Sequence, residues 1–159
     1  MSLKQNVQNW IKSSLEDPIV RILAKNSSLT IIQLETLFID VLVENLASKQ
    51  LKYEEKAKMR QTKAGISRGS FNRTLRQAKT NIIRSIYTVL LLGYFGILED
   101  ARMTPYIEAA NKLKSYAQAY RDILRTPEEA REQLQVMTML REELEKTLNQ
   151  LSKAWTSRS

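Results

Sequence analysis

The 159-residue sequence predicts an all-α protein, and three observations carry that prediction. Glycine occurs 4 times and proline 3 times, while Leu, Glu, Lys, Gln and Arg, all good helix formers, are common. Pro18, Pro105 and Pro127 each follow an Asp or Thr, pairing a capping side chain with a proline at the first helical position. Apolar residues recur at the i, i+3, i+4 spacing of amphipathic helices.

Each element has its own signal. Asp17–Pro18 opens a helix after a polar start, and the sequence does not decide whether the region from Val7 to Ala24 joins the core or a dimer interface. Thr30 and Gln33 have capping-box spacing, and Ile31, Leu34, Leu37, Phe38, Val41, Leu42 and Leu46 line one face of the helix that follows, over about residues 29–48. A shorter helix covers about residues 53–61. Gly65 marks a turn, and Ser67 caps a helix beginning at Arg68. That helix continues into residues 86–98, IYTVLLLGYFGIL, where Gly93 and Gly96 weaken its end. This uncharged run is shorter than the ~20 residues of a membrane span, so it is expected as a buried core helix. The N-terminus has no apolar core of signal-peptide type. No membrane partner and a cytoplasmic location are expected.

The last third has a different pattern. Thr104–Pro105 opens an amphipathic helix with Ile107, Ala110, Leu113, Ala117, Tyr120 and Leu124 on one stripe. Thr126–Pro127, with Glu129 completing a capping box, opens another that carries a seven-residue repeat. Leu134, Arg141, Leu148 and Trp155 hold one core position, and Ala130, Met137, Leu144 and Leu151 the other. The fold expected is a helical domain over residues 1–100, followed by a long amphipathic, coiled-coil-like helical pair over 101–159. That pair fits a dimerisation hairpin, hence a homodimer; the same repeat also fits a helix packed on its own domain.

Composition excludes much chemistry. Without His or Cys there is no zinc site of the usual ligands, no imidazole base, no thiolate and no disulfide. The Asp residues stand apart at 17, 40, 100 and 122, and no P-loop, GxGxxG or HExxH is present. The expectation is a protein that is not an enzyme and that uses no metal and no cofactor.

The net charge of +8 is segregated. Residues 1–50 and 99–159 are each neutral, whereas residues 51–98 hold 10 basic and 2 acidic side chains. No acid lies between Glu55 and Glu99. Such a block points to a polyanion. On the helix from Ser67, Phe71, Leu75, Ala78 and Ile82 form an apolar stripe. Gly69, Asn72, Arg73, Arg76, Gln77 and Thr80 lie opposite, flanked by Arg68 and Lys79. Arg pairs bidentately with guanine, and Asn or Gln with adenine. Gly69 and Ser70, just after the cap at Ser67, keep the helix start small enough for close approach of the backbone. Lys56, Lys58, Arg60 and Lys63 lie just upstream and suit phosphate contacts, as does Lys79.

The segment Ala64-Gly65-Ile66-Ser67-Arg68-Gly69-Ser70-Phe71 resembles the turn and recognition-helix start of helix-turn-helix proteins. Its continuation, Asn72 to Lys79, is similar to the recognition helix of sigma-factor region-4-like domains. Leu29-Thr30, Gln33, Glu35 and Leu37 resemble the "L-T-x-x-Q-x-E-x-L" opening of that group, and Leu51, Tyr53, Glu54, Glu55 and Ala57 its "L-x-Y-E-E-x-A" helix. The resemblance covers about residues 29–83, with the helix-turn-helix near 53–83. It departs in the stretch from Tyr53 to Gly65, which is about four residues longer than usual. Arg60 and Gln61 also stand where an apolar and a small residue normally pack. The resemblance implies sequence-specific binding of double-stranded DNA by a transcription regulator. Two other readings fit the charge block or the tail: a nucleic-acid binder without sequence preference, of RNA or a packaging or chromatin-like kind, and a helical adaptor for an acidic protein.

Overall fold

The computed structural model describes residues 2–46, 51–62, 65–125 and 130–154. Among these, the chain forms seven α-helices, two single 3-10 turns and no strand. The helices are α1 (Leu3–Glu16), α2 (Pro18–Asn26), α3 (Ile31–Leu46), α4 (Tyr53–Ala57), α5 (Arg68–Tyr94), α6 (Thr104–Arg125) and α7 (Ala130–Ala154). They belong to two compact units, residues 1–89 and 90–159. The division falls within α5 rather than at residue 100.

The first unit is built from α1 to α5. Val7 and Ile11 of α1 are fully buried with Ile39 and Val43 of α3, Ala57 and Met59 at α4, and Phe71 and Leu75 of α5. The N-terminal region therefore joins the core. Its start carries a capping box not anticipated above: Gln5 N–H donates to Ser2 Oγ at 3.3 Å, and Ser2 N–H donates to Gln5 Oε1 at 3.0 Å. Asp17 accepts from Ile19 and Val20 N–H at 2.8 and 3.1 Å, making the cap expected ahead of Pro18. Thr30 and Gln33 form the reciprocal pair at 3.2 and 3.0 Å that opens α3.

The buried face of α3 overlaps in part with the one expected, since Leu37, Phe38 and Leu42 pack against the core. Thr36, Ile39 and Val43 are buried, together with Gln33, Glu35 and Asp40, whereas Ile31 and Val41 are half-exposed. The helix packs against α1 on one side and α4 on another, and the α4 side is polar. Apolar spacing alone misses a buried side whose acids are neutralised by distant cations.

The second unit contains α6 and α7, which pack along each other. Ala109, Met137, Leu144 and Leu148 are buried between them, and Tyr106 Oη donates to the Leu151 carbonyl at 3.0 Å. The repeat positions Met137, Leu144 and Leu148 are thus occupied within the chain, while Leu134 is half-exposed. At the start of α6, Thr104 is already helical (φ −51°, ψ −47°). Asp100 caps the 3-10 turn Ala101–Met103 that leads into α6, accepting from Arg102 N–H at 2.8 Å. The expected cap at Thr126–Pro127, Glu129 and the last heptad residue Trp155 lie outside the described residues.

The apolar run was expected in the core, and the structure places it on the surface. Ile86, Tyr87, Val89, Leu90, Leu91, Tyr94 and Phe95 each keep more than half of their surface exposed. The core of the first unit ends near Ala78 and the half-buried Ile82, so α5 extends beyond it. Among the described residues no single helix is long and apolar enough to cross a membrane.

Candidate nucleic-acid interface

The site begins at the turn between α4 and α5. Gly65 adopts φ +74°, in the left-handed region that glycine enters without steric cost. A Cβ there would stand 3.1 Å from the Lys58 Cα and 3.3 Å from the Ala57 carbonyl oxygen. Gly65 N–H donates to the Thr62 carbonyl at 3.2 Å, and Ile66 N–H donates back to Ala57 at 3.3 Å. The turn thus folds tightly onto α4, and Ile66 packs on the core. Ser67 Oγ accepts from Ser70 N–H at 3.2 Å, which caps α5 and engages this hydroxyl.

The longer stretch before Gly65 has a structural use. Arg60 is buried, and its Nη1 donates to Thr36 Oγ1 at 3.0 Å. Its Nε lies 3.0 Å from Glu35 Oε2, an ion pair without hydrogen-bond alignment. Glu35 Oε1 accepts from Gln61 N–H at 2.6 Å. Gln8 Nε2 donates to the Arg60 carbonyl at 3.1 Å, and Gln61 Nε2 to the Gln8 carbonyl at 3.2 Å. Arg60 and Gln61 therefore tie this segment to α1 and α3, doing with polar bonds what an apolar and a small residue do elsewhere.

This corrects two of the expected phosphate contacts. Lys56 is also buried, and its Nζ donates to Asp40 Oδ1 at 2.6 Å and sits 5.4 Å over the Tyr53 ring. Neither Lys56 nor Arg60 is open to a phosphate, because each is paired with a carboxylate of α3 inside the unit. Lys79 reaches the same carboxylate, at 3.1 Å from Asp40 Oδ2, but remains half-exposed. Burial raises the Asp40 pKa, and the hydrogen bonds from Lys56 and Lys79 outweigh it, so the carboxyl titrates below its ordinary 3.8.

The exposed side of α5 agrees with the helical-wheel reading. Phe71, Leu75 and Ala78 are buried; Arg68, Gly69, Ser70, Arg73, Arg76, Gln77 and Thr80 are exposed. Arg68 has a surface partner in Glu54, at 3.6 Å. Among the described residues Arg73 and Arg76 have no ion pair, and Lys58 is exposed. Asn72 is half-buried, and its Oδ1 is covered without a hydrogen-bond partner. A bidentate contact to a base would need another rotamer. Lys63 lies outside the described residues. The anchors missed above are Glu35, Thr36 and Asp40. Their available signal was the presence of acids at 35 and 40 among the apolar residues of α3. Among the described residues no group of acids is placed to hold a metal ion.

Comparison with protein-family models, curated proteins and solved structures finds no significant match.

Proposed function

We propose that this chain is a DNA-binding protein of helix-turn-helix type, with α4 and α5 as its two helices and residues 68–80 of α5 as the reading element. One observation carries the reading: a single solvent side of α5 presents Arg73, Arg76, Gln77 and Thr80, while Phe71, Leu75 and Ala78 anchor its other side in the core. A rigid helix with long forked donors on its free side matches the width and the donor–acceptor pattern of the major groove. The tight turn at Gly65 supports it, since it sets the angle between the helices. Arg73, Arg76 and Gln77 read bases in this proposal, and Lys58, Arg68 and the half-free Lys79 hold phosphates. The target is two half-sites bound by a homodimer that regulates transcription.

The test is selection of bound fragments from a random duplex pool. An enriched motif repeated about a dyad supports the reading. Binding of all duplexes alike, or stronger binding of RNA or single strands, replaces it with a nucleic-acid binder without sequence preference, and no binding of either leaves an acidic protein as the partner.

A further inference from the structure

The polar side of α5 runs on past the segment that reads DNA. Arg73, Gln77, Thr80 and Arg84 follow one another at spacings of four, three and four residues. At 3.6 residues per turn they fall within about 60° of arc, and all four are exposed. The fully buried stripe beneath ends at Ala78, yet the helix stays docked for another turn. Asn81 Nδ2 donates to the Ser28 carbonyl at 3.1 Å and to Gln33 Oε1 at 3.3 Å. The Ser28 and Ser85 hydroxyls lie 2.8 Å apart and share a hydrogen bond. This polar clamp ties α5 to the connection between α2 and α3, so Arg84 stands on a fixed turn of helix. Among the described residues Arg84 forms no ion pair. We propose, resting on the DNA reading above, that Arg84 is a phosphate anchor at the far end of the reading face.

Length and chemistry select the phosphate rather than a base. At 1.5 Å per residue, Arg73 to Thr80 cover about 10 Å of helix axis, which fits a major groove about 12 Å wide. Arg84 lies about 6 Å beyond Thr80, past the base edges and level with the phosphates that wall the groove. At the other end of the face, Lys58 stands against Gly65 and Arg68 opens α5. Cations therefore grip both walls, while Arg73, Arg76 and Gln77 read between them. A cation carried on backbone that is already ordered binds without the cost of ordering it. The strip also ends at this residue. No charged side chain occurs between Arg84 and Glu99, and the next cation is Arg102.

The experiment is fluorescence anisotropy of the full chain with its selected duplex and a scrambled one, over a range of salt. Arg84→Ala should weaken both duplexes alike, by about tenfold, the loss of one charge-assisted hydrogen bond. It should lower the slope of log K against log salt by about 1 and leave the ratio between the duplexes unchanged. Arg84→Lys should restore most of the affinity and the slope, because a phosphate takes either cation whereas a bidentate base contact needs the guanidinium fork. Lys12→Ala, which removes an exposed cation of α1, controls for net charge. Arg84→Ala that weakens binding no more than Lys12→Ala overturns the anchor. The DNA reading survives that result if Arg73→Ala/Arg76→Ala still lowers discrimination. A changed ratio between the duplexes that lysine does not restore makes Arg84 a base reader, and likewise overturns the anchor. A wild type that binds no duplex overturns the DNA reading itself, and the anchor with it. Arg84 is exposed, so its variants should keep the unfolding midpoint of the parent. Should alanine lower it, Arg84→Gln, uncharged and of similar length, takes its place.

Discussion

Lys56 Nζ lies 2.6 Å from Asp40 Oδ1, and these side chains are 3% and 8% exposed. The pair joins α4 to α3 directly beneath the turn that launches α5. A buried ion pair is weak evidence of net stabilisation, but breaking one side leaves the other charge stranded. Lys56→Met should therefore destabilise the first unit by ~3–5 kcal/mol in urea unfolding. The double variant Lys56→Met/Asp40→Leu should recover part of that loss, although it also removes the partner of Lys79.

The same carboxylate sets a pH dependence. Its pKa is depressed in the folded chain, so its contribution is complete above the ordinary value of 3.8 and is lost as pH falls through the lower, folded value. Urea midpoints should drop in that acid window. In Lys56→Met the drop should be shallower, because Asp40 keeps only Lys79.

Gly65 and Gly69 should respond oppositely to alanine. At Gly65 the Cβ meets backbone at 3.1 Å on a left-handed residue, and Gly65→Ala should cost about 1–3 kcal/mol. At Gly69 there is open space around the added carbon, and Gly69→Ala in the helix should stabilise by up to about 1 kcal/mol. Thermal unfolding of the two variants beside the parent measures both signs.

Arginines of one segment should separate into two classes. Arg73→Ala and Arg76→Ala should leave the unfolding midpoint within about 0.5 kcal/mol of the parent, as exposed positions do. Each should lower discrimination between the selected and a scrambled duplex by ~1–3 kcal/mol in fluorescence anisotropy. Arg60→Ala should instead lower stability, because it strands Glu35. Full retention of discrimination in the Arg73→Ala/Arg76→Ala double variant would show that this side of α5 does not read DNA.

Salt should report which cations touch phosphate. Lys58→Ala should weaken binding to all duplexes and reduce the slope of log K against log salt by about 1. The buried Lys56 should contribute nothing to that slope in any variant that stays folded.

Much of the architecture was legible locally. The caps at Asp17 and Thr30, the turn at Gly65 and the buried stripe Phe71–Leu75–Ala78 rest on side chains within a few residues of the backbone they serve. Charge counting was less reliable. Lys56, Arg60 and Lys79 looked like part of a free basic block because their partners, Glu35 and Asp40, sit on a helix 16 to 39 residues earlier. Among the described residues the exposed cations of that segment are Lys52, Lys58, Arg68, Arg73, Arg76, Lys79 and Arg84, fewer than the segment total.

By itself the sequence determined that the chain is helical, where most helices begin, and which side of α5 faces the core near Phe71. Those properties depend on dihedral preference, capping bonds and the 3.6-residue period, all short-range. Only the tertiary structure decided which cations are spent inside, that α1 belongs to the core, and that the run after Ile82 lies on the surface. A hydrophobic segment records that it must leave water, but not which surface covers it. A charge records its sign, but not the counter-charge that folding brings beside it.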